Sequence, residues 1–68
     1  MTIARVTEIS SSSKKSFEDA VEKGVERACK TLKNVTGAWV KDQEVSIEEG
    51  KVDKFIVKMK VSFILAED

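Results

Sequence analysis

The sequence predicts an α+β chain with the element order β-α-β-β, and three observations carry that prediction. Residues 52–65, VDKFIVKMKVSFIL, alternate apolar and polar side chains: Phe55, Val57, Met59, Val61, Phe63 and Leu65 share one face of a long strand. Lys54, Lys58, Lys60 and Ser62 take the other face, with Val52, Ile56 and Ile64 as exceptions. From Lys14 the apolar period changes to three and four, through Phe17, Val21, Val25, Ala28, Leu32 and Val35, which is one stripe of a helix. The segments 2–9 and 37–48 are rich in β-branched residues and bounded by turn-forming ones.

Taken in order, residues 2–9, TIARVTEI, form a short first strand that ends in Ser10, Ser11, Ser12 and Ser13, a run that favours a turn. Ala4 and Val6 fall on one face and Ile3 and Ile9 on the other, so both faces are expected to be partly covered. The helix is expected to begin at Lys14 with Ser13 as its cap, Ser16 with Asp19 being a weaker alternative. Glu18 and Asp19 near its start, and Lys30 and Lys33 near its end, suit the helix dipole. Ala20 and Gly24 flank the stripe and permit close approach to a sheet. The helix is expected to stop near Asn34, about 20 residues and roughly 30 Å long at 1.5 Å per residue.

Ala38 and Val40 have one parity in the second strand and Val45 and Ile47 the other, which predicts a bulge near residues 42–44. Glu48, Glu49, Gly50 and Lys51 make a hairpin turn in which Gly50 can take positive φ. Fourteen residues of the last strand span roughly 48 Å at about 3.4 Å each, so either the sheet bends around the shorter helix or its overhanging end packs on another chain. Trp39, Ile56 and Ile64 also need cover on the outer face, and a second subunit supplies it most simply.

Size leads to the same expectation. The 68 residues, 1–68, make a single domain in which only about 60% of the unfolded surface is buried on folding. The lone Cys29 excludes an internal disulfide, and the absence of histidine argues against structural zinc. Twelve basic and twelve acidic side chains cancel, so no net field favours nucleic acid or an anionic membrane. With neither a long apolar run nor a signal-peptide pattern, a soluble cytoplasmic location is expected.

Residues with chemical potential are few. Asp42 with Glu44, Glu48 with Glu49, and Asp53 could serve a hard cation only if several oxygens converged, for instance copies gathered on an oligomer axis. Cys29 has no activating partner and reads as a small apolar filler. Lys54, Lys58 and Lys60 could meet phosphates, but Asp42 and Glu44 on the neighbouring strand can equally pair with them. No phosphate loop, metal-ligand spacing or acid/base pair is present, and no enzyme is expected.

The β-α-β-β order, the serine-rich turn, the VKDQEVSIEEGKV hairpin and the closing MKVSFIL together resemble the dodecins, from about residue 3 to residue 67. The resemblance implies a single dodecin-like domain, a curved three-stranded antiparallel sheet wrapped around one helix. It also implies a hollow homo-oligomeric shell of twelve copies that binds flavin. In flavin-binding dodecins a tryptophan stacks on the isoalloxazine ring and a glutamine bonds its polar edge. Aligned through Val40-x-Asp42-Gln43 and Lys60-Val61-x-Phe63, those positions are Gly37 and Ile56 here, with Gln43 a neighbour on the same strand. Trp39 is the nearest aromatic, two residues along on the same face, able to stack on a ligand or to fill a subunit contact. The resemblance therefore implies storage of riboflavin, FMN, FAD or another flat aromatic compound, with flavin affinity lowered by the loss of both contacts. The alternative is a structural or divalent-cation-binding assembly without an organic cofactor.

Overall fold

The computed structural model describes residues 2–67 and has the expected order: strand β1 (Thr2–Ser13), helix α1 (Phe17–Thr31), strand β2 (Val35–Glu48) and strand β3 (Lys51–Glu67). The three strands form one antiparallel sheet in the order β1-β3-β2, so the long alternating strand lies in the middle. Central placement explains the length of its alternation, because both neighbours pair with it along most of its run. Register sorts the side chains. Val61 sits between Thr7 and Ala38, Met59 between Ile9 and Val40, and Val57 between Ser11 and Gln43, all on the face that meets α1.

The core on that face is small and tight. Val57, Met59 and Ala20 are fully buried, with Ile9, Phe17, Val21 and Val25 packed around them. Phe17 meets Phe55 edge to face, ring centroids 5.1 Å apart, at the start of the helix. The line of α1 that touches the sheet is Ala20, Gly24 and Ala28, rather than the larger residues of the expected stripe. The reason is close approach. A Cβ on Gly24 would lie 2.5 Å from the Met59 methyl and 3.0 Å from the Ser11 Cβ. Val21 and Val25 are thereby turned aside and only half-buried.

Three expectations about the first half of the chain are corrected. The serine run does not turn; β1 continues through it to Ser13, paired from Ser10 with Lys58 to Ser13 with Phe55. Pairing with a central strand outweighs the local turn preference of serine, and Ser11 is small enough to lie beneath Gly24. The cap is Ser16, in extended conformation, whose Oγ accepts from the Asp19 N–H at 2.9 Å. The Ser13 hydroxyl is buried and donates instead to the Asp19 carboxylate at 2.5 Å, while accepting from the Lys15 N–H at 3.0 Å. The helix also has 15 residues, not 20, and ends at Thr31 because Leu32 is already extended. Asn34 then takes a left-handed conformation (φ 60°), and its carbonyl accepts from the Ile64 N–H at 3.0 Å.

The second half follows expectation more closely. Lys41 is the extra residue in β2, one position before the predicted interval, and it puts Ala38, Val40 and Val45 on the helix side together. Further shifts occur between Val35 and Gly37 and between Ser46 and Ile47. The hairpin turns through Glu49 (φ 51°) and Gly50 (φ 76°), both positive as a two-residue primed turn requires. About 22 Å of helix lies against a molecule 53 Å long. Apolar residues are accordingly bare at both ends, Ile47 and Val52 beside the hairpin and Ile3 and Leu65 at the opposite end.

Candidate functional site

The sheet face turned away from α1 carries most of the residues picked out by chemistry. Its cross-strand rows run Val6–Ser62–Gly37, Glu8–Lys60–Trp39, Ser10–Lys58–Asp42 and Ser12–Ile56–Glu44. Trp39 is 50% exposed, at the free edge of the sheet, with Gly37 in the adjoining row. Gly37 leaves a shallow place there: the Ser62 Oγ lies 3.4 Å from where its Cβ would be and donates to the Gly37 carbonyl at 3.2 Å. An exposed indole next to a residue without a side chain provides a flat apolar platform open on one side.

The four positions of the expected ligand site are not gathered in one protomer. Gly37 and Trp39 are neighbours. Ile56 shares their face but lies six residues along β3 from Ser62, the partner of Gly37, a separation of about 20 Å. Gln43 pairs with Val57 and so has the opposite parity, on the helix side and exposed. One planar ligand cannot touch Gly37 and Ile56 of the same chain.

The charged groups of the outer face are mostly paired. Lys58 Nζ is 3.1 Å from Glu44 Oε1, and this bond, helped by the charges of Glu44, Asp42 and Glu8, holds the Lys58 pKa above its ordinary value. Lys41, the bulge residue, reaches Glu8 on the far strand at 3.6 Å, across β3. The expected pairing of outer lysines with Asp42 and Glu44 is therefore realised at Lys58. Among the described residues no group of three or more carboxylate, thiol or imidazole side chains converges on a point that could hold a metal ion.

Sequence reasoning did not find a second hollow. Between α1 and the β2 edge lies an open apolar cavity of about 360 Å³, lined by Val21, Val25, Cys29 and Met59 and bordered along β2 by Gly37 and Trp39. Cys29 is exposed at this place, not packed as a filler. The signal was present as Val21, Val25 and Cys29 at intervals of four, but they stay partly open because α1 seats on the sheet through Ala20, Gly24 and Ala28.

Comparison with known proteins assigns the architecture. The dodecin family model matches residues 3–66. The fold is similar to that of a dodecin from Streptomyces davaonensis (TM-score 0.90, 32% identity, 97% of each chain covered). A dodecin from Streptomyces coelicolor is equally similar (TM-score 0.90, 33% identity, covering 98% of this chain and 96% of that one). A calcium dodecin from Mycobacterium tuberculosis, described as a calcium-chelating antigen with a novel calcium-binding site, matches with a TM-score of 0.83 and 27% identity, over 97% of this chain and 94% of that one. No curated protein sequence matches the chain. The order of elements, the central long strand and the family match over nearly the whole length lead to one assignment: this chain belongs to the dodecin family.

Proposed function

We propose that the chain is the subunit of a non-enzymatic homo-oligomeric shell, a dodecamer, that binds and stores a flat aromatic ligand on the outer sheet face around Trp39. The observation that carries this reading is the half-exposed indole beside Gly37 at a free sheet edge. Membership of the dodecin family supports the shell, and the bare apolar residues at both ends of the 53 Å protomer supply surface for its contacts. The separation of Gly37 and Ile56 implies that a ligand meeting both positions bridges two protomers.

Flavin is the reference ligand, and its affinity is reduced here. Gly37 offers no ring to stack on, a loss of about 1 to 3 kcal/mol per contact judged from base–aromatic stacking. Ile56 leaves a polar ring edge unpaired, for a further loss of about 1 to 3 kcal/mol. Together these correspond to roughly one and a half to four powers of ten in Kd. The test is a riboflavin titration of the assembled protein, followed by flavin fluorescence quenching. Weak binding in the parent and a gain in Gly37→Trp/Ile56→Gln support the reading. Tight binding by the parent that disappears in Trp39→Ala would instead make Trp39 a full replacement for the family's ring partner.

Likeness to the calcium dodecin favours one second reading, an assembly that binds a divalent cation and no organic ligand. Because no three suitable groups converge among the described residues of one protomer, such a site needs copies of a carboxylate, such as Asp42 or Glu44, around a symmetry axis. A rise in melting temperature with added calcium, in a preparation that quenches no flavin, would favour it.

A further inference from the structure

We infer that Lys60 selects for charge at the Trp39 platform, so that the site takes a flat aromatic ligand carrying an anionic group, a phosphate or carboxylate, in preference to its neutral counterpart. The inference rests on Trp39 being the ligand platform. Lys60 is the direct cross-strand partner of Trp39 on the outer face, which places their Cβ atoms about 4.5 to 5.5 Å apart. A lysine on that spacing has a long flexible stem with which to bring its ammonium to the rim of a ring stacked on the indole.

What distinguishes Lys60 is that its neighbours are already engaged. Glu8 lies opposite it on β1 and would be its natural partner, but the Glu8 carboxylate is held by Lys41 at 3.6 Å. Lys58, one row away, is bonded to Glu44 at 3.1 Å, and Asp42 faces Lys58 in register. Lys54 is six residues along β3, about 20 Å from the Trp39 row. Arg5 pairs with Phe63 and belongs to the helix side. Among the described residues, Lys60 is the cation beside Trp39 that makes no salt bridge. An ammonium with no salt-bridge partner among the described residues, carried by a partly buried lysine next to an exposed ring, is matched by an anion on a ring-shaped ligand.

Riboflavin and FMN make the probe pair, because they share one ring system and differ by one phosphate. At low salt the assembled protein is expected to bind FMN about fivefold more tightly than riboflavin, the equivalent of about 1 kcal/mol for one partly exposed ion pair. The FMN-to-riboflavin ratio should fall to about one in Lys60→Gln, return in Lys60→Arg, and shrink in ~1 M salt, where the Debye length is about 3 Å. A ratio of one in the parent, or a preference that persists in Lys60→Gln, overturns the role of Lys60 while leaving the platform intact. Absence of quenching with either flavin, or binding unaltered in Trp39→Ala, overturns the platform and the inference with it.

Discussion

Along β3, Val57, Met59 and Val61 are sealed beneath α1, whereas Ile56, Lys58 and Lys60, interleaved with them on the same backbone, stay partly open on the other side. The covered side is specified by close contact. Its centre is a glycine pressed onto a methionine, leaving no room for a side chain at position 24 without displacing the Met59 methyl. The open side is specified only by pairing: Lys58 with Glu44, Lys41 with Glu8, and a tryptophan opposite a lysine. Residues on the open side can therefore change without rebuilding the fold. Gly37 and Ile56 both lie on this open side, outside the buried core.

The sharpest way to break this contrast is to open the covered side. Met59→Ala removes a fully buried side chain from the middle of the core, and a loss of about 2 to 5 kcal/mol is expected in denaturant unfolding at fixed protein concentration. A loss below about 1 kcal/mol would mean that the helix is not seated on β3 as described. A smaller effect follows from Gly24→Ala. The helix gains roughly 1 kcal/mol in propensity, but the new methyl must displace the Met59 methyl 2.5 Å away and crowd the Ser11 Cβ, an overpacking cost of about 1 to 3 kcal/mol. Net destabilisation of about 1 kcal/mol is expected. In a Met59→Ala background the same substitution should turn neutral or stabilising, because it then fills vacated space. Additive effects in the double-mutant cycle would show that Gly24 and Met59 do not meet.

Legibility in the sequence differed along the same lines. The alternation of β3 and the primed turn at Gly50 were readable because both depend on local geometry, a period of two and a positive φ. The bulge was readable within one residue because a parity change must be absorbed somewhere. Non-local terms hid the rest. The serines of β1 look like a turn until a central strand pairs with them, and the sequence favours Ser13 as the cap over Ser16 because it does not show that Asp19 draws the Ser13 hydroxyl away. Parity put Trp39, Ile56 and Ile64 on the outer face, where register confirms them. Parity could not give the 20 Å between Gly37 and Ile56, the lack of a salt bridge at Lys60 among the described residues, or the cavity beside Cys29, since each depends on how the strands and the helix lie together.

The smallest expected effect concerns the hinge between the covered side and the helix start. The Ser13 hydroxyl donates to the Asp19 carboxylate, and with Lys23 at 3.3 Å and the charge of Lys15 it holds the Asp19 pKa below its ordinary value near 3.8, against the opposing effect of partial burial. A carboxylate whose pKa is lower in the folded state stabilises the fold above about pH 3.8 and loses that contribution as pH falls towards the folded value. Acid unfolding should accordingly include a component from Asp19 below pH 3.8, absent in Asp19→Asn. Ser13→Ala removes the largest of the lowering influences, so the Asp19 pKa followed by carboxyl NMR should rise towards its ordinary value, and the pH dependence should shrink with it. Ser16→Ala removes the bond to the Asp19 N–H and not the bond to its carboxylate, so it should lower helix stability by about 1 kcal/mol across the whole pH range. If the pKa rises in Ser16→Ala and not in Ser13→Ala, the two serines have exchanged roles and α1 begins one turn earlier.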